Sequence, residues 1–193
     1  YLSGQDLCEQ LGVSRTAVWK YMKQLKEEGY EIEAVQNKGY CLKDVPDVLG
    51  ESEIKSRLHT RWAGQTLYYY DEIDSTNTQI KRLAEEDAPH GTLAVADYQS
   101  KGKGRRGHAW DSPHGSAIYM SILFRPDIRP DRASMLTLVI GLSVAQAIRS
   151  NLGVQAQIKW PNDIVLNGKK LVGILTKIAR TRSGPIFSIL STV

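Results

Sequence analysis

The chain has 193 residues, of which 41% are hydrophobic and 24% charged, and a formal net charge of +4 with a pI near 9.0. These values describe an ordinary globular protein of one or two domains and exclude a low-complexity, collagen-like or strongly charged disordered chain. The mild positive balance is compatible with an anionic partner without requiring one. The opening residues, YLSGQDL, form no signal peptide, and a start on Tyr1 rather than Met predicts an incomplete N-terminus. Residues 3 to 25 predict two short helices. Ser3 caps the first, whose apolar face is Leu7, Cys8 and Leu11; Gly12 ends it, and Ser14 caps a second with Ala17, Val18, Met22 and Leu25 inward. Two helices joined by a Gly-containing turn are the helix-turn-helix pattern. The second helix would present Ser14, Arg15, Thr16, Trp19, Lys20 and Lys23 to phosphates and base edges of DNA. Strands over Glu31–Val35 and Gly39–Leu42, joined by Gln36-Asn37-Lys38, predict a hairpin wing with Lys38 at its tip. Residues 1–50 are net acidic, with six Lys/Arg against eight Asp/Glu, so the cations matter by their gathering on one helix and one turn, not by their number.

Cys8 and Cys41 are the only cysteines and make no C-x-x-C pair, which predicts a reduced, cytoplasmic chain. Residues 46–50 read as a linker. Beyond it, Ser52 is expected to cap a helix to about His59, and Thr66–Tyr70 a strand leading to Asp74-Ser75-Thr76-Asn77. An amphipathic helix follows over Thr78–Glu86. Ser75, Thr76 and Asn77 thus lie at a strand-to-helix junction. Helix capping explains them, and so does a grip on a polar ligand by hydroxyl, amide and free N–H groups. Strands are expected over Leu93–Asp97 and Ser116–Phe124. Ser134–Leu152 predicts a long helix, apolar nearly all round and therefore buried, with no run long enough for a membrane span. Gln155–Trp160 predicts a strand, and Ile164–Leu166 with Leu171–Thr176 a hairpin around Asn167-Gly168. Lys159, flanked by Ile158, Trp160 and Pro161, is expected in a confined place.

The stretch Tyr98–Pro113, YQSKGKGRRGHAWDSP, carries the most chemistry. Gly102–Gly107 holds three glycines and the cations Lys103, Arg105 and Arg106, and no acid interrupts the run from Lys101 to Trp110. Glycines let a backbone turn tightly and approach a ligand; Lys and Arg supply donors and charge for phosphate or carboxylate oxygens. The pattern also fits the dinucleotide fingerprint G-x-G-x-x-G, with Asp127 about twenty residues on. That reading requires the last glycine to open a helix, and Gly107 leads instead into HAWDSPHGS, where Pro113 and Gly115 argue against one. A solvated Gly/Lys/Arg loop is the plain alternative.

Taken in order, SGQDLCEQLGVSRTAVWKYMKQL, DSTN (74–77), YQSKGKGRRGHAW (98–110), KWPND (159–163) and KLVGIL (170–175) resemble the bifunctional biotin protein ligase and biotin operon repressor family. The resemblance implies an α+β protein with a winged helix-turn-helix over residues 1–45, its first helix absent. A catalytic domain over 51–193, incomplete at its C-terminus, would be built on a mixed, largely antiparallel sheet like that of class II synthetases. It implies that biotin and ATP, with Mg²⁺, give biotinyl-5′-AMP, and that biotin then passes to a lysine of a carboxylase carrier domain. No metal-ligating residue is expected. By position, Ser75, Thr76, Asn77 and Gln99 would face the ureido head of biotin. Gly102, Lys103, Gly104, Arg105 and Arg106 would fold over biotin and the adenylate, Trp110 would stack near the adenine or close the pocket, Gly173 would line the pocket, and Lys159 would meet the reacting carboxylate and phosphate. Operator DNA, a homodimer in the adenylate-bound state and no membrane are the implied partners.

The chain departs from the family in Lys103, where arginine is usual, and in Lys177, where an acid commonly follows GIL. It also departs in the tail Ile178–Val193, which lacks the usual Gly-rich strand. Two readings stay open: a ligase with a DNA-binding arm, and a biotin-sensing regulator whose ligase step is impaired. Lipoate ligases, which share the catalytic fold but not the cationic hexapeptide, come third.

Overall fold

The hydroxyls of Ser3 and Ser14 each accept a backbone N–H three residues on, from Asp6 at 3.0 Å and from Ala17 at 3.2 Å. They start α1 (Gly4–Leu11) and α2 (Arg15–Glu27), and Gly12, in the left-handed region, turns the chain between them. β1 (Glu31–Val35) and β2 (Gly39–Asp44) pair antiparallel. The computed structural model describes the backbone of residues 1–181 and 184–192, and these four elements make up its first unit, Tyr1–Val48. Leu7 and Val18 are buried there, but Leu11, expected on the inward face, is 58% exposed. It closes α1 immediately before the Gly12 turn, and nothing in the unit covers that last position.

The second unit, Leu49–Val193, begins with α3 (Glu51–Arg57). Ser52 does not cap it: Gly50 holds the cap position without a side-chain bond, and Ser52 lies inside the helix. Charge does the work instead, with Glu51 and Glu53 in the first turn paired to Lys55 and Arg57 one turn on. Seven strands then form one sheet: β3 (Leu67–Ile73), β4 (Leu93–Gln99), β5 (Tyr119–Phe124), β6 (Gln157–Lys159), β7 (Asp163–Leu166), β8 (Lys169–Thr181) and β9 (Gly184–Thr192). Their order is β3-β4-β5-β9-β8-β7-β6. Only β3 and β4 run parallel, as the crossover through α4 (Thr76–Glu85) demands. The α+β expectation with a largely antiparallel sheet holds.

The helices cover opposite faces of the sheet. On one, Ile80, Leu83 and Ala84 of α4 pack on Ala94, Leu123 and Ile186. On the other, Ala145 and Ile148 of α5 (Ala133–Leu152) pack on Ile164, Val172 and Ile174, with Ile122 and Phe124 alongside. The alternation of Ile122, Leu123 and Phe124 along β5 is the pleat reading out both faces.

Two features depart from the sequence reading here. α5 is long and apolar enough to cross a membrane by length and composition alone, with a mean hydropathy of 1.3, and it is not buried all round. Only one stripe meets the sheet; Met135, Leu138, Val139 and Leu142 are exposed, because a single sheet face can cover only one side of a helix. The tail, expected to lack the usual Gly-rich strand, nonetheless supplies a strand, β9, between β5 and β8, with Phe187 fully buried. Its apolar run is short enough to be ambiguous in sequence.

Candidate active site

β3 ends at Ile73, and Asp74 sets the turn into α4. Its carboxylate accepts Ser75 N–H at 2.7 Å and pairs with Arg82 at 2.7 Å. Burial opposes its ionisation, but the Arg82 bond, the Ser75 amide and the charges of Arg82 and Lys103 outweigh that, so its carboxyl lies below the ordinary aspartate value. Ser75, Thr76 and Asn77 follow, all buried. Thr76 donates to Gln99 Oε1 from its N–H at 2.9 Å and from its hydroxyl at 3.1 Å, leaving the hydroxyl oxygen to accept from Ser121 at 2.9 Å. Gln99 Nε2 donates to Ser112 Oγ at 3.0 Å. Ser75 is different. It occupies the N-cap position of α4 but makes no cap bond, and its Oγ is buried without a partner among the described residues. Capping, the plain explanation of this serine, does not occur. A buried hydroxyl left unpaired is costly and points to a ligand atom.

The glycine-rich stretch is a small hairpin flap. Trp110 N–H donates to Gly102 O at 2.9 Å and Gly104 N–H to His108 O at 2.8 Å, with Lys103 and Ala109 bridged between them. Gly102 is obligatory, since a Cβ there would stand 2.3 Å from Trp110 O and 2.7 Å from Ser112 Oγ. The tip is a single 3-10 turn over Arg105–Gly107, broken by a positive φ of 55° at Arg106. No helix follows Gly107, so the dinucleotide fingerprint is not formed. The flap's cations point in different directions. Lys103 Nζ donates to Thr78 Oγ1 at 3.0 Å, Arg105 Nη1 donates to Asn162 Oδ1 at 2.7 Å, and Arg106 is exposed.

Arg105 thereby joins two motifs 57 residues apart. Two clefts, of about 350 and 380 Å³, meet at the Arg105–Asn162 pair, which lines both. The first is walled by Lys103, Gly104, Trp110, Asp163, Lys170 and Gly173; the second by Thr137, Leu138, Trp160, Pro161 and Thr176. Lys159 lines neither. It ends β6, an edge strand whose three residues are all exposed, and Trp160 beside it is 77% exposed. The confined setting expected for Lys159 is not observed, because among the described residues β6 is the outermost strand of the sheet and is exposed. The structure nonetheless brings its motif, through Asn162, to the flap. Asn162 and Asp163 stood in the KWPND motif without an assigned role, and Lys170 began the KLVGIL run. Thr78 and Ser112 carried no signal in the sequence.

In the first unit, Arg15, Thr16, Trp19, Lys20 and Lys23 are exposed on α2, and Lys38 is exposed at the hairpin turn. Ser14 is spent on capping, Arg15 donates to Gln5 Oε1 at 2.9 and 3.2 Å, and Lys23 lies 3.6 Å from Glu27.

A mixed sheet with a cationic flap over its cleft thus follows, along the chain, a helix-turn-helix unit. Residues 69–193 match the biotin/lipoate A/B protein ligase family and residues 1–41 an HTH domain, and the chain belongs to that ligase family. Among similar curated proteins, the bifunctional ligase/repressor BirA of Bacillus spizizenii is 49% identical over 92% of this chain and 55% of its own length. That of Escherichia coli is 36% identical over 91% and 53%. The chain thus spans about half the length of these relatives. A solved structure of the biotin protein ligase from Aquifex aeolicus in complex with biotin and ATP is 36% identical, with a TM-score of 0.55 over 65% of this chain and 51% of that one.

Proposed function

We propose that this chain is the DNA-binding and catalytic part of a biotin protein ligase that doubles as a biotin-responsive repressor. The carboxylate of biotin attacks the α-phosphate of ATP, forming biotinyl-5′-AMP and releasing pyrophosphate. A lysine amine of a carboxylase carrier domain then attacks the acyl carbon and releases AMP. The Arg105–Asn162 bond carries this reading, because it folds the cationic flap onto the KWPND turn over one cleft. Two anions must meet in the first step, and fixed cations with water excluded from a labile mixed anhydride are what it needs. Positioning and charge suffice for adenylyl transfer without an acid–base pair.

Ser75, Thr76 and Asn77 would hold the ureido head of biotin, with Gln99 orienting Thr76. Gly102, Lys103, Gly104, Arg105 and Arg106 would lie over biotin and the adenylate, Trp110 would meet the adenine, and Gly173 would leave room beside it. Lys159, from its open edge strand, would swing its flexible ammonium to the reacting carboxylate and phosphate. Among the described residues no three His, Cys, Asp or Glu side chains converge as a metal-holding set. Mg²⁺ would ride on the nucleotide's phosphates, as is usual for this ion.

On the DNA side, α2 would enter the major groove with Arg15, Thr16, Trp19, Lys20 and Lys23, its N-terminal Ser14 near the backbone and Lys38 on a phosphate. A palindromic operator would call for a homodimer, formed in the adenylate-bound state. Mass spectrometry after mixing the chain with biotin, ATP and Mg²⁺ tests the enzyme: biotinyl-AMP is expected, and biotin binding alone would favour the regulator with an impaired ligase step. Arg105→Ala or Lys159→Ala should abolish the adenylate with the circular dichroism spectrum unchanged; wild-type rates in either remove the mechanism. Footprinting on a palindromic operator, with and without the adenylate, tests the repressor.

A further inference from the structure

Lys170 has no part in the chemistry above, yet it connects both ends of the flap's support. Its Nζ lies 2.8 Å from Asp163 Oδ1 and 4.8 Å from the centroid of the Trp110 ring. The same Asp163 oxygen accepts from Asn162 Nδ2 at 3.0 Å, and Asn162 Oδ1 accepts from Arg105 at 2.7 Å. Arg105, Asn162, Asp163, Lys170 and Trp110 thus form one unbroken chain of contacts. It leaves the flap at its tip, crosses the turn between β6 and β7, and returns to the flap at its base. We propose that Lys170 is a positioning residue whose ammonium, anchored by Asp163, clasps Trp110 and holds the flap 101–110 closed over the cleft.

Gly173 shows that the arrangement is built for these two side chains. A Cβ at that position would stand 3.1 Å from both Lys170 Cε and Trp110 Cη2, and 3.2 Å from Lys170 Nζ. A bare backbone lets ammonium and indole lie at this spacing, where a Cβ would press on both side-chain ends. The strand register supports the anchor. Asp163 pairs opposite Gly173, and the irregularity between Ile164 and Val165 brings Lys170 opposite Val165, so the lysine reaches back along the hairpin to the carboxylate. Charge balance makes the anchor necessary. Among the described residues lining the cleft, Asp163 is the sole acid, against Lys103, Arg105 and Lys170. Without it, three cations would repel one another. An exposed ion pair of this kind is weak alone, and an indole face adds a comparable amount; the two together restrain a loop that neither would hold.

The clasp deepens the proposed function, since it holds the flap of that same site, but its test needs no ligand. The flap carries the tryptic sites Lys101, Lys103, Arg105 and Arg106, and cleavage of a loop follows its open population when reclosing is fast. Limited trypsinolysis of the unliganded chain, read by fragment mass, compares cleavage after Arg105 and Arg106 with cleavage after Lys38 in the first unit. Lys170→Met is expected to raise that ratio about tenfold with the thermal midpoint unchanged, the size expected for losing one cation–π contact and its ion pair. Lys170→Arg should return it to within about twofold of wild type, because a guanidinium both pairs with carboxylate and stacks on indole. Asp163→Asn, which keeps the lysine, should move with Lys170→Met and carries the test if that variant fails to fold. An unchanged ratio in Lys170→Met and Asp163→Asn, or an arginine variant nicked as fast as the methionine one, overturns the clasp. Failure of the chain to bind biotin would remove the proposed function and leave this result standing.

Discussion

Thr76 donates twice to Gln99 Oε1, from its backbone N–H at 2.9 Å and its hydroxyl at 3.1 Å, tying the start of α4 to the end of β4. Gln99 in turn holds Ser112 beyond the flap. In this network Thr76, Gln99, Ser112 and Ser121 satisfy one another, and the neighbouring Ser75 hydroxyl is left over.

Ser75→Ala should therefore separate stability from binding. Losing an N-cap serine ordinarily costs about 1 kcal/mol, but here there is no cap bond to lose. Removing an unsatisfied buried hydroxyl should instead stabilise by about 1 kcal/mol, a rise in the melting midpoint of roughly 2–4 °C. Calorimetric titration should show biotin affinity falling at least about tenfold, the worth of a hydrogen bond to a buried polar ligand atom. A lower midpoint in the variant would mean that the hydroxyl caps α4 after all.

Gly102→Ala and Gly173→Ala should differ in kind. At Gly102 the new methyl meets backbone, 2.3 Å from Trp110 O, and the flap base cannot form without moving the chain. The expected outcome is a loss of about 2–3 kcal/mol in stability, within the range of overpacking, together with loss of ligand binding. At Gly173 the methyl meets only side-chain ends, Lys170 and Trp110, which can shift. That variant should melt within about 2 °C of wild type while its tryptophan emission changes, as judged by thermal denaturation and fluorescence together. Equal losses of stability in both would contradict the geometry.

Lys177 is a charged group held where charge is disfavoured. Burial, then the charges of Lys81 and Lys103, push its pKa below the ordinary lysine value. A folded-state value below the unfolded one means that the ammonium costs stability at neutral pH, and that the cost fades as pH rises toward the lysine range. Lys177→Met should raise the midpoint at pH 7 by on the order of 1–2 °C, a modest figure because the side chain is only part-buried and water screens the repulsion. The gain should shrink in alkaline buffer; a gain that grows with pH would count against the assignment.

Much of the first unit was legible residue by residue. Ser3, Ser14 and Gly12 act within three or four positions of themselves, so caps and a turn can be read from local chemistry. The Asn167-Gly168 turn belongs with them, both residues having positive φ. Failures came where an outcome depended on distant cover. Leu11 and the outer stripe of α5 are apolar but unburied, and Ser75 looked like a cap yet is not one. β9 was missed because its place in the sheet depends on β5, whose partners lie more than 60 residues away, as well as on its hairpin neighbour β8, and not on its own few residues.

The order of the motifs determined the family, the class of fold and the stretch that bears charge, because those follow from residue types at short fixed spacings. Tertiary structure alone decided that Arg105 meets Asn162, that Asp163 anchors Lys170 under Trp110, and that Lys159 stands exposed on an edge strand. Those relations arise from strand order and register, which set neighbours across the sheet through pairings that no local pattern encodes.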